Sequence, residues 1–353
     1  MIAVTSDSQT ISLNITNISN TLTTDIGGVE DYVDPYSLSN IILTNAKNVT
    51  SEEETLGYAK YSATPLTTPA VSASGENEST LSETEDDYGT SYYFRGNVKN
   101  NYVNFAGMCW RIVRIEGDGS TKLILEDKNA ECNSSAYTGN WSITGEYGWF
   151  ASTETNGEPE FIYGKSGVAS LLENFQISYL LNNFNKLKLE NWCFDNSVSA
   201  IKYYDIDYNE VSNPVEGGYI GKTYGAYTRT VVNKTPSLLC EGKILKQFKD
   251  DTDIFVGTLT SDEVVFAGST SSVTSINYLV NDYTENNYWW TLSPSMYTPL
   301  GGNETRAFEI GTNGQIYSVD IFMFGVTRPS VVLKSGIQTS AGNGTKANPY
   351  VVS

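Results

Sequence analysis

Residues 91–127, SYYFRGNVKNNYVNFAGMCWRIVRIEGDGSTKLILED, decide the reading of the fold. YVNFAGMCWRIVRI and TKLILED flank EGDGS, and a Gly-Asp-Gly turn between two apolar runs is a hairpin signal. The stretch reads as three strands. GDG at 117–119 is a turn here and not a phosphate loop, because no helix follows it.

Working outward, SGVASLLENFQISYLLNNFNKLKLENW at 166–192 is the clearest helix, with Ser166 or Ser170 as cap. Leu171, Leu172, Phe175, Tyr179, Leu180 and Phe184 recur at three-to-four spacing. TSDEVVFAG at 260–268 gives a second helical turn: Ser261 caps, Asp262 and Glu263 favour the N-terminus, and Gly268 ends it. RAFEI and QIYSV alternate around GTNG at 311–314, which predicts another hairpin. GNGTKANPYVV closes the chain with a turn and a last strand, and residues 133–165 read as loop and short strands. Residues 1–82 are rich in Ser, Thr, Asn and acids, with one alternating stretch, QTISLNITNIS, and a linker within SATPLTTPAVSASGENESTLSETEDD. The expected fold class is therefore α+β: antiparallel strands, one main helix and long loops over 83–353. A β-rich or extended segment over 1–82 precedes it, with the boundary near Leu81.

Composition excludes several functions. The net charge is −19 and histidine is absent. A chain this acidic is a poor partner for nucleic acid or an anionic membrane surface. Without histidine there is no Ser-His-Asp or Cys-His nucleophile system, and common zinc sites lose their usual nitrogen ligand. No cofactor is implied. Asp205, Asp207, Asn209 and Glu216 echo the spacing of a calcium loop. Glu210 stands where the glycine is required, so a solvated acidic loop is the better reading. No apolar run is long enough to span a bilayer, and no basic-then-apolar leader is visible, so any export signal is expected upstream of Met1.

Four cysteines, Cys109, Cys132, Cys193 and Cys240, contain no CxxC. Their even number favours two disulfides in an oxidising compartment, with buried thiols as the alternative. Of three connectivities, Cys109–Cys132 and Cys193–Cys240 each close a local loop. The first would staple the hairpin just outside its paired region.

Several motifs occur in a characteristic order. They are DDYGTSYYFRGNVKNNYVNFAGMCWRIVRIEGDGSTKLIL, YGAYTRTVVNKTPSLLC, LTSDEVVFAG, YWWTLSPS, GVTRPSVVLK and GNGTKANPYVV. Over roughly residues 83–352 this order resembles a family of surface proteins of Gram-positive gut bacteria. Their C-terminal part is similar to the C-type-lectin-like fold of formylglycine-generating-enzyme relatives and of variable proteins of diversity-generating retroelements. The resemblance implies an extracellular or cell-surface binding protein, adhesin- or receptor-like, and not an enzyme. Its partner would be an unknown protein or glycan, met on a variable surface over 296–324. Trp289, Trp290, Ser293 and Pro294 match the first frame of that surface. Gly325, Val326, Arg328 and Pro329 match the second, with Thr327 interrupting the usual Gly-Val-Arg-Pro. The alternative is a structural subunit of a surface filament, in which AVTSDSQTISLNITNIS completes a neighbour's sheet. An enzyme of the formylglycine-generating type would need reactive cysteines.

The structural frame is then Trp289, Pro294, Gly325, Arg328 and Pro329, and the ligand-binding candidates are Trp290, Tyr297, Asn303, Tyr317, Asp320, Phe322 and Phe324. Tyr, Asn, Asp and Phe on loops over a rigid scaffold have the composition of a recognition surface. Each residue has a plainer reading. Trp289 and Trp290 point to opposite faces of one strand, and large aromatics usually serve packing. Arg328 before a strand usually fixes a turn through a local carboxylate or carbonyls. Phe322, Met323 and Phe324 read equally as a buried strand end or an exposed patch.

Overall fold

The structure is a computed structural model. It describes residues 34–63, 78–132, 167–246, 252–280, 288–299, 304–321, 323 and 325–352, together with the backbone of five short strands outside those ranges. Three of these, β1 (Ile2–Val4), β2 (Thr10–Leu13) and β3 (Leu22–Asp25), form an antiparallel sheet of their own with β2 in the middle. Next come α1 (Leu38–Lys47), α2 (Ser51–Thr55), β4 (Lys60–Ser62), β5 (Ser79–Asp86) and β6 (Gly89–Gly96). The opening stretch, expected to hold three strands, holds four: most of β6, then β7 (Tyr102–Phe105), β8 (Met108–Ile115) and β9 (Thr121–Asp127). β10 (Ala151–Thr155) and β11 (Glu158–Ile162) pair with each other and precede α3 (Gly167–Phe175). Then follow β12 (Trp192–Phe194), β13 (Val198–Tyr204), β14 (Glu210–Val211), β15 (Tyr219–Tyr224) and α4 (Gly225–Tyr227). β16 (Lys243–Leu245), β17 (Val256–Gly257) and α5 (Ser261–Phe266) lead into β18 (Trp289–Thr298), β19 (Glu304–Ile310) and β20 (Ile316–Asp320). The chain finishes with β21 (Ser330–Leu333) and β22 (Tyr350–Val352).

Two large sheets carry this mixed α+β fold. One runs β17-β21-β9-β8-β6-β5-β4, with β7 attached at β8 and β22 at β7. The other runs β14-β13-β15-β18-β19-β20. The expected β8–β9 hairpin forms, with Ile115 opposite Thr121 beside the EGDGS turn. The β19–β20 hairpin forms too, with Ile310 opposite Ile316 across GTNG. Every residue of β8 and β9 is buried, because other layers cover both faces. One continuous core joins α1, α3 and both sheets, and Trp110, Trp192, Trp289 and Trp290 are among its largest side chains.

The helices depart from the sequence reading in three ways. The long helix is α only to Phe175, then widens to a π turn over Gln176–Leu180 and tightens to 3-10 over Leu181–Lys186. Thr260, not Ser261, caps α5: its side chain accepts from Glu263 N while the Glu263 carboxylate accepts from Thr260 N, a reciprocal capping box. Helix α1 is a further element, capped by Ser37. Leu38, Ile42 and Ala46 enter the common core, so residues 34–62 are built into the body that follows. Leu81, the expected boundary, is fully buried inside β5.

Both expected disulfides form, Cys109–Cys132 and Cys193–Cys240. Cys109 lies inside β8, opposite Asp127, and Cys132 lies past the end of β9, so the first bridge ties the open end of the hairpin with one end in the pairing and one just outside it.

Candidate functional site

The six-stranded sheet gathers the residues around which a site can be built. Its two halves, the β13–β15 arm and the β18–β19 hairpin, meet through only two residue pairs, Lys222–Tyr297 and Thr223–Met296. Where they meet there is an open groove of ≈ 580 Å³, in the range of small-molecule and oligomer sites. Gly221 forms part of its floor; a Cβ there would lie 3.0 Å from the Tyr204 ring. Tyr204, Tyr227 and Tyr297 supply aromatic walls, and Met296 is the sole aliphatic side chain of the lining among the described residues. Among the described residues Lys202, Lys222 and Arg306 line it and no carboxylate does, in a chain of net charge −19. Lys202 is bonded to Glu210 at 2.9 Å with both side chains more than half exposed, and Arg306 stands opposite Asp320 in the sheet register.

The opposite face of the same hairpin is a closed frame. Trp290, Glu309 and Tyr317 stand side by side across three strands. Arg306 and Glu309 are an odd number of residues apart on a regular strand, so this row faces away from Arg306. Burial pushes the Glu309 carboxyl up to about 8. Its Oε1 and the Trp290 Nε1–H are buried without a hydrogen-bond partner among the described residues. The bare backbone of Gly325 lies over both. A Cβ on Gly325 would come 2.3 Å from Glu309 Oε1 and 2.6 Å from Trp290 Nε1. Gly325→Ala should therefore lower stability by about 1–3 kcal/mol, the usual cost of overpacking, as read by urea denaturation; an unchanged midpoint would show that the loop yields freely.

Arg328 locks the second frame segment. It donates to the Leu125 and Leu279 carbonyls at 3.1 and 2.6 Å and pairs with Glu126 at 3.1 Å. Its guanidinium lies 5.4 Å from the centre of the Trp289 ring. Pro329 follows, its carbonyl accepting from Leu125 N. Pro294 sits at a register shift in β18, between Trp290 and Met296. Ser293 accepts from Ser261 N, tying this strand to the start of α5.

The residues expected to meet ligand are thus divided. Tyr297 lines the groove, though only 3% of its surface is exposed. Asp320 stands beside the groove, opposite Arg306. Trp290 is fully buried, and the expectation that it contacts ligand is corrected: its strand lies beneath neighbouring segments and leaves the ring no surface to offer. Tyr317 is half-buried on the frame side, donating to Gln315, accepting from Asn313 and standing edge-on to Tyr288. Asn303, Phe322 and Phe324 lie outside the described residues; Met323 between the two phenylalanines is exposed.

Comparison with protein families, with curated proteins and with solved structures found no match.

Sequence reasoning missed Lys202, Tyr204, Lys222, Tyr227, Arg306 and Glu309. The segments IKYY and GKTY hold a period-two Lys/Tyr pattern that marks exposed strands. Nothing local shows that they pair with a strand some seventy residues on. Among the described residues no cluster of acids could hold a metal. In the acidic loop, Asp205 instead accepts from the backbone of Asp207 and Asn209 at 2.9 and 2.8 Å.

A second group of charges lies between the sheets. Arg114 contacts Asp86, Glu116 at 2.8 Å and Glu263 at 3.0 Å. Lys122 reaches Glu263 at 2.7 Å, and Lys188 reaches Glu116, Asp118 and Glu190 at 2.7, 2.8 and 3.0 Å. Burial alone would raise the Glu116 carboxyl, but Arg114, Lys122 and Lys188 overcome it and hold it well below the usual carboxylate range. Glu190 is raised, by burial and then by Glu116. The cavity here is only ≈ 30 Å³, room for about one water, so this centre is a structural joint.

Proposed function

We propose that the chain is a secreted or surface-displayed ligand-binding protein, adhesin- or receptor-like, with a C-type-lectin-like body whose ligand lies in the groove of the six-stranded sheet. One observation carries the reading. An open depression on this sheet joins Met296, Tyr297, Thr298 and Arg306, from the surface expected to vary, to tyrosines and lysines of the neighbouring arm. Aromatic and polar side chains on a braced strand framework make a recognition surface. The bracing comes from Trp289, Trp290 and Arg328, all buried. Two disulfides are compatible with an extracellular protein, and no helix among the described residues is long and apolar enough to cross a membrane. Display of a diversified surface is part of the same proposal. The filament alternative has no observation in its favour, since β2 already has a strand of its own chain on each side.

Filling the groove tests the reading without changing its charge. Thr298→Trp should weaken binding at least ~10-fold, about 1.4 kcal/mol, across an array of glycans, peptides and intact cells, with an unaltered melting temperature. If the variant binds whatever the wild type binds equally well, the groove is not the site.

A further inference from the structure

We infer that the Cys193–Cys240 bridge is a redox-sensitive clasp: low-molecular-weight thiols open it in the folded protein and free the strap 236–245 from the body. The two bridges differ in access. Cys109 and Cys132 are fully buried, whereas Cys193 and Cys240 both keep part of their surface in solvent. Exchange requires a thiolate to reach a sulfur of the bridge, so access decides which bridge reacts first.

The strap is otherwise held from the surface. No residue from 236 to 245 is buried, and Leu239 and Ile244 are 47% and 42% exposed. Its noncovalent ties include the three-residue β12–β16 ladder, a bridge from Leu238 to Asp86, and the approach of Gly242 to the Asp195 backbone. Ser237 N donates to the Asp262 carboxylate at 2.9 Å and Cys240 N to Asp87 at 3.2 Å. Glu241 reaches Arg229 at 3.4 Å with most of its side chain in solvent. Surface ties of this kind contribute little each, and a segment with so little buried apolar area opens at the low end of local stability. Both ends stay fastened: Thr235 N donates to the Arg229 carbonyl, and the Lys246 carbonyl accepts from Ile254 N.

Opening strips no buried charge of its counter-ion. Ser237, Leu238 and Leu239 meet Asp86, Asp195 and Asp262 across the ≈ 30 Å³ cavity, and these carboxylates are no more than 5% exposed. Their cations belong to the body and not to the strap. Asp86 contacts Arg114, while Asp195 and Asp262 pair with Arg229 at 2.7 and 2.9 Å. The lifted strap therefore bares an acidic patch whose ion pairs remain intact, and the desolvation cost of unpaired charge does not oppose the movement.

The chemistry is thiol–disulfide exchange with a dithiol. One thiolate of the reductant attacks a sulfur of the bridge, the S–S bond breaks, and the departing cysteine thiolate takes a proton. The second thiol of the reductant then displaces the remaining cysteine. The protein gains two thiols, and the dithiol leaves as a cyclic disulfide.

The test exposes the full chain in native buffer to graded dithiothreitol, blocks free thiols with N-ethylmaleimide and maps them by peptide mass. Cys193 and Cys240 should be labelled at least ~10-fold faster than Cys109 and Cys132. In that singly reduced form, tryptic cleavage after Lys243 should rise at least ~10-fold while the far-ultraviolet circular dichroism stays unchanged. The double variant Cys193→Ser/Cys240→Ser should be cleaved there without reductant; should it fail to fold, the two wild-type readings decide. Joint reduction of both bridges overturns the inference. So does a strap that keeps its resistance to trypsin once Cys193 and Cys240 are labelled, or a folded double variant as resistant as wild type.

Discussion

Arg114→Met is expected to remove ~3–5 kcal/mol of stability, a large share of the about 5–15 kcal/mol that holds a typical domain. Arg114 is 5% exposed and its guanidinium serves three carboxylates that come from three places in the chain: Asp86 of β5, Glu116 beside the EGDGS turn and Glu263 of α5. Methionine fills similar volume, so little of the loss would come from packing. The loss arises because buried acids keep their desolvation cost and lose the cation that offset it. Glu263 would retain Lys122 at 2.7 Å, and Glu116 would retain Lys188, but Asp86 would keep mainly backbone donors such as Gly117 N at 3.1 Å. Urea denaturation followed by tryptophan fluorescence measures the change, since four buried tryptophans report on the core. A loss below about 1 kcal/mol would mean that the carboxylates take up protons at almost no cost.

Glu309→Gln is expected to abolish a stability loss that the wild type shows between about pH 5 and pH 8. The folded carboxyl keeps its proton to about 8 because burial disfavours the charge, whereas the unfolded one releases it near 4.5. Unfolding therefore releases a proton throughout that window, so stability falls as pH rises and levels off above it. At ~1.4 kcal/mol per unit, the total drop is on the order of 5 kcal/mol. Glutamine has the shape of the protonated acid and cannot ionise, so the variant should match wild type near pH 4.5 and exceed it at pH 8.5. Parallel pH profiles for the two proteins would assign the titration elsewhere.

The parts of this fold that a sequence makes legible are those with short-range causes. EGDGS and GTNG fix their hairpins because the turn chemistry lies between the strands it joins. The α5 start was visible because capping is local, and it missed by one residue because Thr260 and Ser261 are both good caps. Helix α1 was overlooked inside a polar segment, although Ser37 followed by Leu38, Ile42 and Ala46 has both cap and stripe. The packing of Trp289 and the carbonyl and carboxylate partners of Arg328 agree with the plainer reading of their residue types. The groove did not, because Lys202 and Lys222 become neighbours of Met296 and Tyr297 only through a strand pairing between distant segments. Nothing local in RAFEI marks Glu309; the covering backbone of Gly325 comes from a segment beyond the hairpin.

The way α1 docks has a mechanical consequence. Ser37 bridges to Gln338, Asp34 accepts from the Gln338 side chain at 2.7 Å, and Asn45 donates to the Tyr350 hydroxyl at 2.9 Å. The chain enters and leaves its folded body at one corner, where the two passing segments are fastened to each other. A tug between whatever precedes Asp34 and whatever follows Val352 would load that fastening and the β22–β7 pairing first, leaving the six-stranded sheet and its groove outside the line of force.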